Sequence, residues 1–219
     1  MRLSQKSILT RPTPRHAPQL WTIIDGAVLG HASRMLTHLA RFGQRSLDLF
    51  TDQSESGPIF PTLAPLVSHV HRWRLLHLWG MGEGEIEWIL AALRGLHAPI
   101  LEELSVILSF DAHLPLKKFV VFQGGTPSLK EFCLRRVVCL PAAIHTLTHL
   151  EMKTTAFQKP IWTSLSFADM IKKMRSLTHI ALEGSVVAPA DEILDVLLHE
   201  VARQGAGLCG LICTHFIGL

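Results

Sequence analysis

Apolar residues recur along this chain as a spaced triplet, at the first, fourth and sixth positions of a short segment. Five copies are clear: Trp73-Leu76-Leu78, Leu101-Leu104-Val106, Leu129-Phe132-Leu134, Leu147-Leu150-Met152 and Leu177-Ile180-Leu182. Weaker copies, Gln44-Leu47-Leu49 and Leu208-Leu211-Cys213, flank them. Successive starts lie 29, 28, 28, 18, 30 and 31 residues apart. Positions 4 and 6 are two apart, so on a strand they share a face. Each triplet therefore predicts a strand with one covered side, and position 1 packs inward from the preceding turn.

The intervening stretches read as helices that cover that side. Gly82 to His97 carries Ile86, Ile89, Leu90, Leu93 and Leu96 at helical spacing. Pro189 to Arg203 carries Ile193, Leu194, Leu197, Leu198 and Val201, with early acids and Gly205 just past its end. Leu29 to Phe42 and Ser164 to Met174 are further candidates. The 18-residue step from Leu129 to Leu147 holds Pro141 and is too short for a full helix, so an extended segment or single turn is expected. Together these elements predict an α/β fold: an irregular leucine-rich-repeat-like solenoid, with parallel strands alternating with helices. It would occupy residues 17–219, after a disordered or extended arm at 1–16, where Pro12 and Pro14 break any helix. The final dozen residues read either as a seventh strand or as an uncapped tail.

In such a fold, positions 3, 5 and 7 of each strand project from the open side. They are Leu75, His77 and Trp79; Glu103, Ser105 and Ile107; Glu131, Cys133 and Arg135; His149, Glu151 and Lys153; and His179, Ala181 and Glu183. Trp and Arg are the residue types that anchor protein interfaces. This face is the expected site of binding, with a protein as the expected partner.

Composition narrows the alternatives. Of 219 residues, 48% are hydrophobic and 18% charged, which supplies a continuous core and excludes a disordered chain. The net charge is only +3, and basic residues form no dense stripe, so no nucleic-acid partner is expected. No apolar run reaches the ~18 residues of a membrane span. Cys133, Cys139, Cys209 and Cys213 follow no secretory signal and read as reduced thiols of a cytoplasmic or nuclear protein. There is no Asn. The asparagine ladder of the standard repeat is thus missing: its place, position 9, holds Ser109, Val137, Thr155 and Ser185. Ser and Thr satisfy turn backbone more weakly.

Candidate chemistry is sparse. His69 and His71 form an H-x-H pair, without an acid or Cys at ligand spacing. His145 and His149 are four apart, but on a strand that puts them ~13 Å from each other. Gly80, Gly82 and Gly84 alternate before a helix, yet Glu83 and Glu85 beside them would repel phosphate. No nucleophile elbow or phosphate-loop motif occurs. The expectation is a binding module without catalytic residues, cofactor or metal. The alternatives are an unrecognised α/β enzyme or small-ligand binder, or a non-functional remnant of a gene family.

Several segments, in order, resemble fungal F-box proteins of the mushroom-type expansions. "APQLWTIIDG" (Ala17 to Gly26) resembles the stretch that follows the F-box helices there, and "HASRMLTHLARFGQRSLDL" the helix and strand after it. "HVHRWRLLHLWG", "APILEELSVIL", "FQGGTPSLKEFCLRRVVCL" and "TLTHLEM" are similar to the later irregular leucine-rich repeats. The resemblance covers roughly residues 17 to 185 and implies the substrate-recognition part of a ubiquitin-ligase adaptor. The F-box of some forty residues, which would dock on a Skp1-type adaptor, has no counterpart in the 16 residues before "APQLW". That docking role is expected only of an F-box lying upstream.

Overall fold

A computed structural model describes residues 23–25, 37, 39–41, 43–52, 60–108, 119–137, 139–142, 144–154, 162–184 and 211–214. The arm at 1–16, the helix expected at 189–203 and most of that expected at 29–42 lie outside them.

The fold is α/β and its main sheet is wholly parallel. In chain order the elements are β1 (Ile23–Asp25), β2 (Leu47–Asp52), α1 (Phe60–Val67), a 3-10 turn (Val70–Arg72), β3 (Trp73–Met81), α2 (Glu83–Leu93), β4 (Glu103–Leu108), β5 (Phe119–Val121), β6 (Glu131–Arg135), β7 (Cys139–Pro141), β8 (His149–Lys153), α3 (Ser164–Lys173), β9 (His179–Glu183) and β10 (Leu211–Thr214). Eight strands lie side by side as β1-β2-β3-β4-β6-β8-β9-β10. β5 and β7 leave this order and pair with each other in parallel. Among the described residues, no helix is long and apolar enough to cross a membrane.

The triplets fall into register. Leu76, Leu104, Phe132, Leu150 and Ile180 pair successively across five strands, as do Leu78, Val106, Leu134, Met152 and Leu182. The last weak copy joins them, with Leu211 opposite Ile180 and Cys213 opposite Leu182. The first weak copy is displaced by two residues from its expected frame. Leu47 sits opposite Trp73, Leu49 opposite Leu76, and Thr51 opposite Leu78, with a register irregularity between Leu47 and Asp48. A buried Thr occupies an inward place there because its hydroxyl donates to the His77 carbonyl at 3.1 Å. A satisfied hydroxyl can be buried at little cost.

The strand starts are tied by a second, purely backbone ladder. The amides of Glu102, Lys130, Thr148 and Thr178 each donate at 2.8 Å to the carbonyl at the equivalent place one unit earlier: Arg74, Glu102, Lys130 and Thr148. Backbone pairing thus begins ahead of each strand, which fixes how one unit sits on the next.

One continuous buried cluster lies on the covered side of the sheet. α2 contributes Ile86, Ile89, Leu90 and Leu93, with Trp88 on its opposite face 70% exposed. α3 contributes Phe167, Met170 and Ile171. The short step between β6 and β8 is covered by β7, an extended segment as its length requires, with Cys139 buried. α1 has no counterpart in the sequence reading. Pro61 sits in its first turn, where a missing N–H costs little, while Pro65 removes one bond from a helix only two turns long. Leu63 and Leu66 are both buried and hold it in place. At position 9, Val137 is buried in the core and cannot serve a turn as Asn would. Ser109, Thr155 and Ser185 lie outside the described residues.

Candidate functional site

Since the side chains at positions 4 and 6 turn inward, the alternate ones share the opposite face. Register sorts them into three rows across the sheet. The row nearest the strand starts is Leu75, Glu103, Glu131, His149 and His179. The middle row is Phe50, His77, Ser105, Cys133, Glu151 and Ala181, and the far row Trp79, Ile107, Arg135, Lys153 and Glu183. Every residue expected on the open side lies in one of these rows. A groove of about 460 Å³ runs over them from His77 and Trp79 to His179 and Ala181.

The rows differ in character along the sheet. The end at β2 and β3 is aromatic: Phe50 meets the His77 ring edge-on at 5.0 Å, and His77 stacks on Trp79 at 5.7 Å. Trp79 remains 42% exposed, and its indole N–H donates to the Ser105 hydroxyl at 3.4 Å. His77 Nε2 lies 2.6 Å from Glu103 Oε1. Toward β6, β8 and β9 the face is charged. Glu151 accepts from Arg135 at 2.9 Å and lies 3.6 Å from Lys153 Nζ, which also reaches Glu183 at 2.8 Å. Burial would lower the Arg135 guanidinium, but the bonded Glu151 carboxylate outweighs it and holds Arg135 above its ordinary value. Lys153 is raised by its hydrogen bond to Glu183. In the first row, His149 and His179 stack face to face, with centroids 4.2 Å apart and planes within 6°. Glu131, beside them in register, has no ion-pair partner among the described residues.

Burial raises the Cys133 thiol, helped by Glu151, with Ser105 and Arg135 offsetting part of the effect. It is thus held as a neutral thiol, the weak form for nucleophilic or metal chemistry. His69 and His71 belong to the 3-10 turn before β3, rings 6.4 Å apart, rather than to a strand face. Of His145 and His149, only His149 is on a strand. Among the described residues no three or more His, Cys, Asp or Glu side chains group as a metal site would.

Two features of this side were not read from the sequence. Phe50 joins the middle row only in the corrected β2 frame. The alternation Leu47, Leu49, Thr51 would have revealed it had Thr been allowed an inward place. A charged chain also runs along the strand starts: Arg74 pairs with Asp48 and approaches Glu102 at 4.0 Å, and Lys130 reaches Glu102 at 3.1 Å. Glu102 and Lys130 lie one residue ahead of β4 and β6, so a reading confined to positions 3, 5 and 7 omits them. Compared with protein-family models, curated proteins and solved structures, the chain matches none.

Proposed function

We propose that this chain is an irregular leucine-rich-repeat-like solenoid acting as a protein–protein interaction module. Its role would be the substrate-recognition part of an F-box-type ubiquitin-ligase adaptor. One observation carries the binding reading. A parallel sheet covered on one side leaves on the other a groove of about 460 Å³, with a partly exposed Trp at one end and charged rows at the other. Apolar anchors beside polar groups that set orientation are what a protein-binding surface requires. The resemblance to F-box proteins supports the adaptor role. Contact with a Skp1-type adaptor belongs to an F-box and is assigned to no residue described here.

A photo-crosslinking amino acid placed at position 79, and separately at position 88 on the covered side's outer helix, tests the reading in cells. Adducts to a defined protein from position 79, absent from 88 and suppressed by Arg135→Ala, are the expected result. Equal labelling from both positions, or from 88 alone, rejects the open face as the binding surface.

A further inference from the structure

The interaction reading can be taken one step further, to the chemistry of the partner, because the first row carries acceptors and almost no donors. Two units repeat the same local device, Thr148-His149 and Thr178-His179. The Thr148 hydroxyl donates its single proton to the Lys130 carbonyl at 3.1 Å, so toward His149 Nδ1, 2.8 Å away, it can only accept. The Thr178 hydroxyl likewise donates to the Thr148 carbonyl at 3.0 Å and accepts from His179 Nδ1 at 2.9 Å. In the neutral form of either ring Nδ1 therefore carries the proton, and Nε2 is left as an acceptor. Both rings line the groove, stacked on one another, and the carboxylate of Glu131 stands next to them with no cation partner among the described residues.

The cations nearby are already committed: Arg135 to Glu151, and Lys153 to Glu151 and Glu183. Of the groove's carboxylates, Glu103 has His77 at 2.6 Å and Glu151 has Arg135 and Lys153, so Glu131 is the one left without a cation among the described residues. We infer that the groove takes the guanidinium of a partner arginine at Glu131 and the stacked His149–His179 pair, with an apolar partner side chain on Trp79 and Ile107. A guanidinium fits because it offers five N–H donors in one plane and stacks on flat rings, whereas an ammonium is a compact point charge. Glu131 and Trp79 are four residues apart along the strands and two strands apart across them, a diagonal of about 16 Å at ordinary sheet spacings. An extended partner covers that in about five residue steps from its arginine to its apolar anchor.

The inference rests on the proposed binding face, and the experiment separates the two. Random dodecapeptides displayed on phage are selected on the full chain, and enriched peptides are synthesised and measured by fluorescence anisotropy. The expected peptides hold an arginine about five residues from an aliphatic or aromatic residue. Their affinity falls about tenfold on Glu131→Gln, and by as much on the wild-type chain when citrulline replaces the arginine, since each removes one charge-assisted pair. The citrulline arm needs no variant to fold. Peptides that lose binding on Trp79→Ala but lack arginine, or tolerate lysine or citrulline in its place, overturn the arginine site and leave the binding face standing. Peptides indifferent to both Trp79→Ala and Glu131→Gln, or no enrichment at all, overturn both.

Discussion

Gly184 ends β9 with φ +79°, at the eighth position of its unit, where the chain must leave the sheet. The same position holds Gly80 (φ 71°), at a register irregularity inside β3, and Arg136 (φ 64°), so left-handed backbone recurs there even where the residue is not glycine. At Gly184 the turn is also crowded. A Cβ there would fall against the backbone carbonyl and the hydroxyl of Thr154, whose amide donates to the Glu183 carbonyl at 2.9 Å. Left-handed backbone alone costs an L side chain roughly 1–2 kcal/mol. Gly184→Ala is expected to destabilise the fold by about 2 kcal/mol or more, read as a lower urea midpoint. Gly95→Ala, where an added Cβ meets nothing within 4 Å, is the control and should move the midpoint little. A second residue-scale effect concerns Cys139. Burial pushes its thiol up from an ordinary 9.0 to about 12. The folded state therefore keeps a proton that the unfolded chain releases above pH 9. Stability from this group is fully present below that pH and is lost as pH rises toward 12. Cys139→Ala should flatten the alkaline fall of the midpoint, and iodoacetamide should label Cys139 only after unfolding. Native labelling at the rate of a free thiol would contradict this burial.

Among the elements, α3 shows how a single side chain sets a boundary. Thr163 caps it, its hydroxyl oxygen accepting from the Ser166 amide at 3.2 Å, and Lys172 and Lys173 close the last turn against the helix dipole. Thr163→Ala should cost about 1 kcal/mol, while Thr163→Asp keeps the cap and most of the stability. Equal losses in the two variants would assign the effect to something other than capping. The strands were legible in sequence because two inward apolar residues spaced by one outward residue can satisfy only a strand with one covered face. That logic set the register of β3, β4, β6, β8 and β9, and with it the three rows of the open side. It failed at β2, where Thr51 takes an inward place through a hydrogen bond to another strand that no local pattern reveals. It also missed α1, whose two prolines argue against a helix until the burial of Leu63 and Leu66 outweighs them. Which side chains on the open face pair with one another depends on neighbours up to 30 residues away, as Lys153 and Glu183 are. The sequence marks the face, and the sheet decides that, among the described residues, Glu131 is left without a cation while Glu151 has two.

Across the whole molecule, the main sheet is ordered as the chain is ordered, and each of its strands bonds only the strands next to it. Should stabilisation pass between neighbouring strands rather than through the buried cluster as a whole, damage would stay local in a way it would not in a doubly wound sheet. Leu49 and Leu150 occupy the same inward place and are both buried, but Leu49 lies near one edge, on β2, and Leu150 lies inside, on β8. Truncating either to Ala leaves a cavity worth about 2–5 kcal/mol. If coupling is between neighbours, the two costs act on different parts of the sheet. In Leu49→Ala, hydrogen exchange should quicken in β1 and β2 while β6 and β8 stay protected. In Leu150→Ala, β8 and β9 should lose protection first while β3 and β4 keep theirs, and urea unfolding should separate into two steps. A uniform loss of protection in both variants, with one sharp transition, would mean that the helices and the β5–β7 pair bind the strands into a single cooperative unit. The rows of the open face would then open and close together. Under neighbour coupling the aromatic end at Trp79 can hold its shape while the charged end yields.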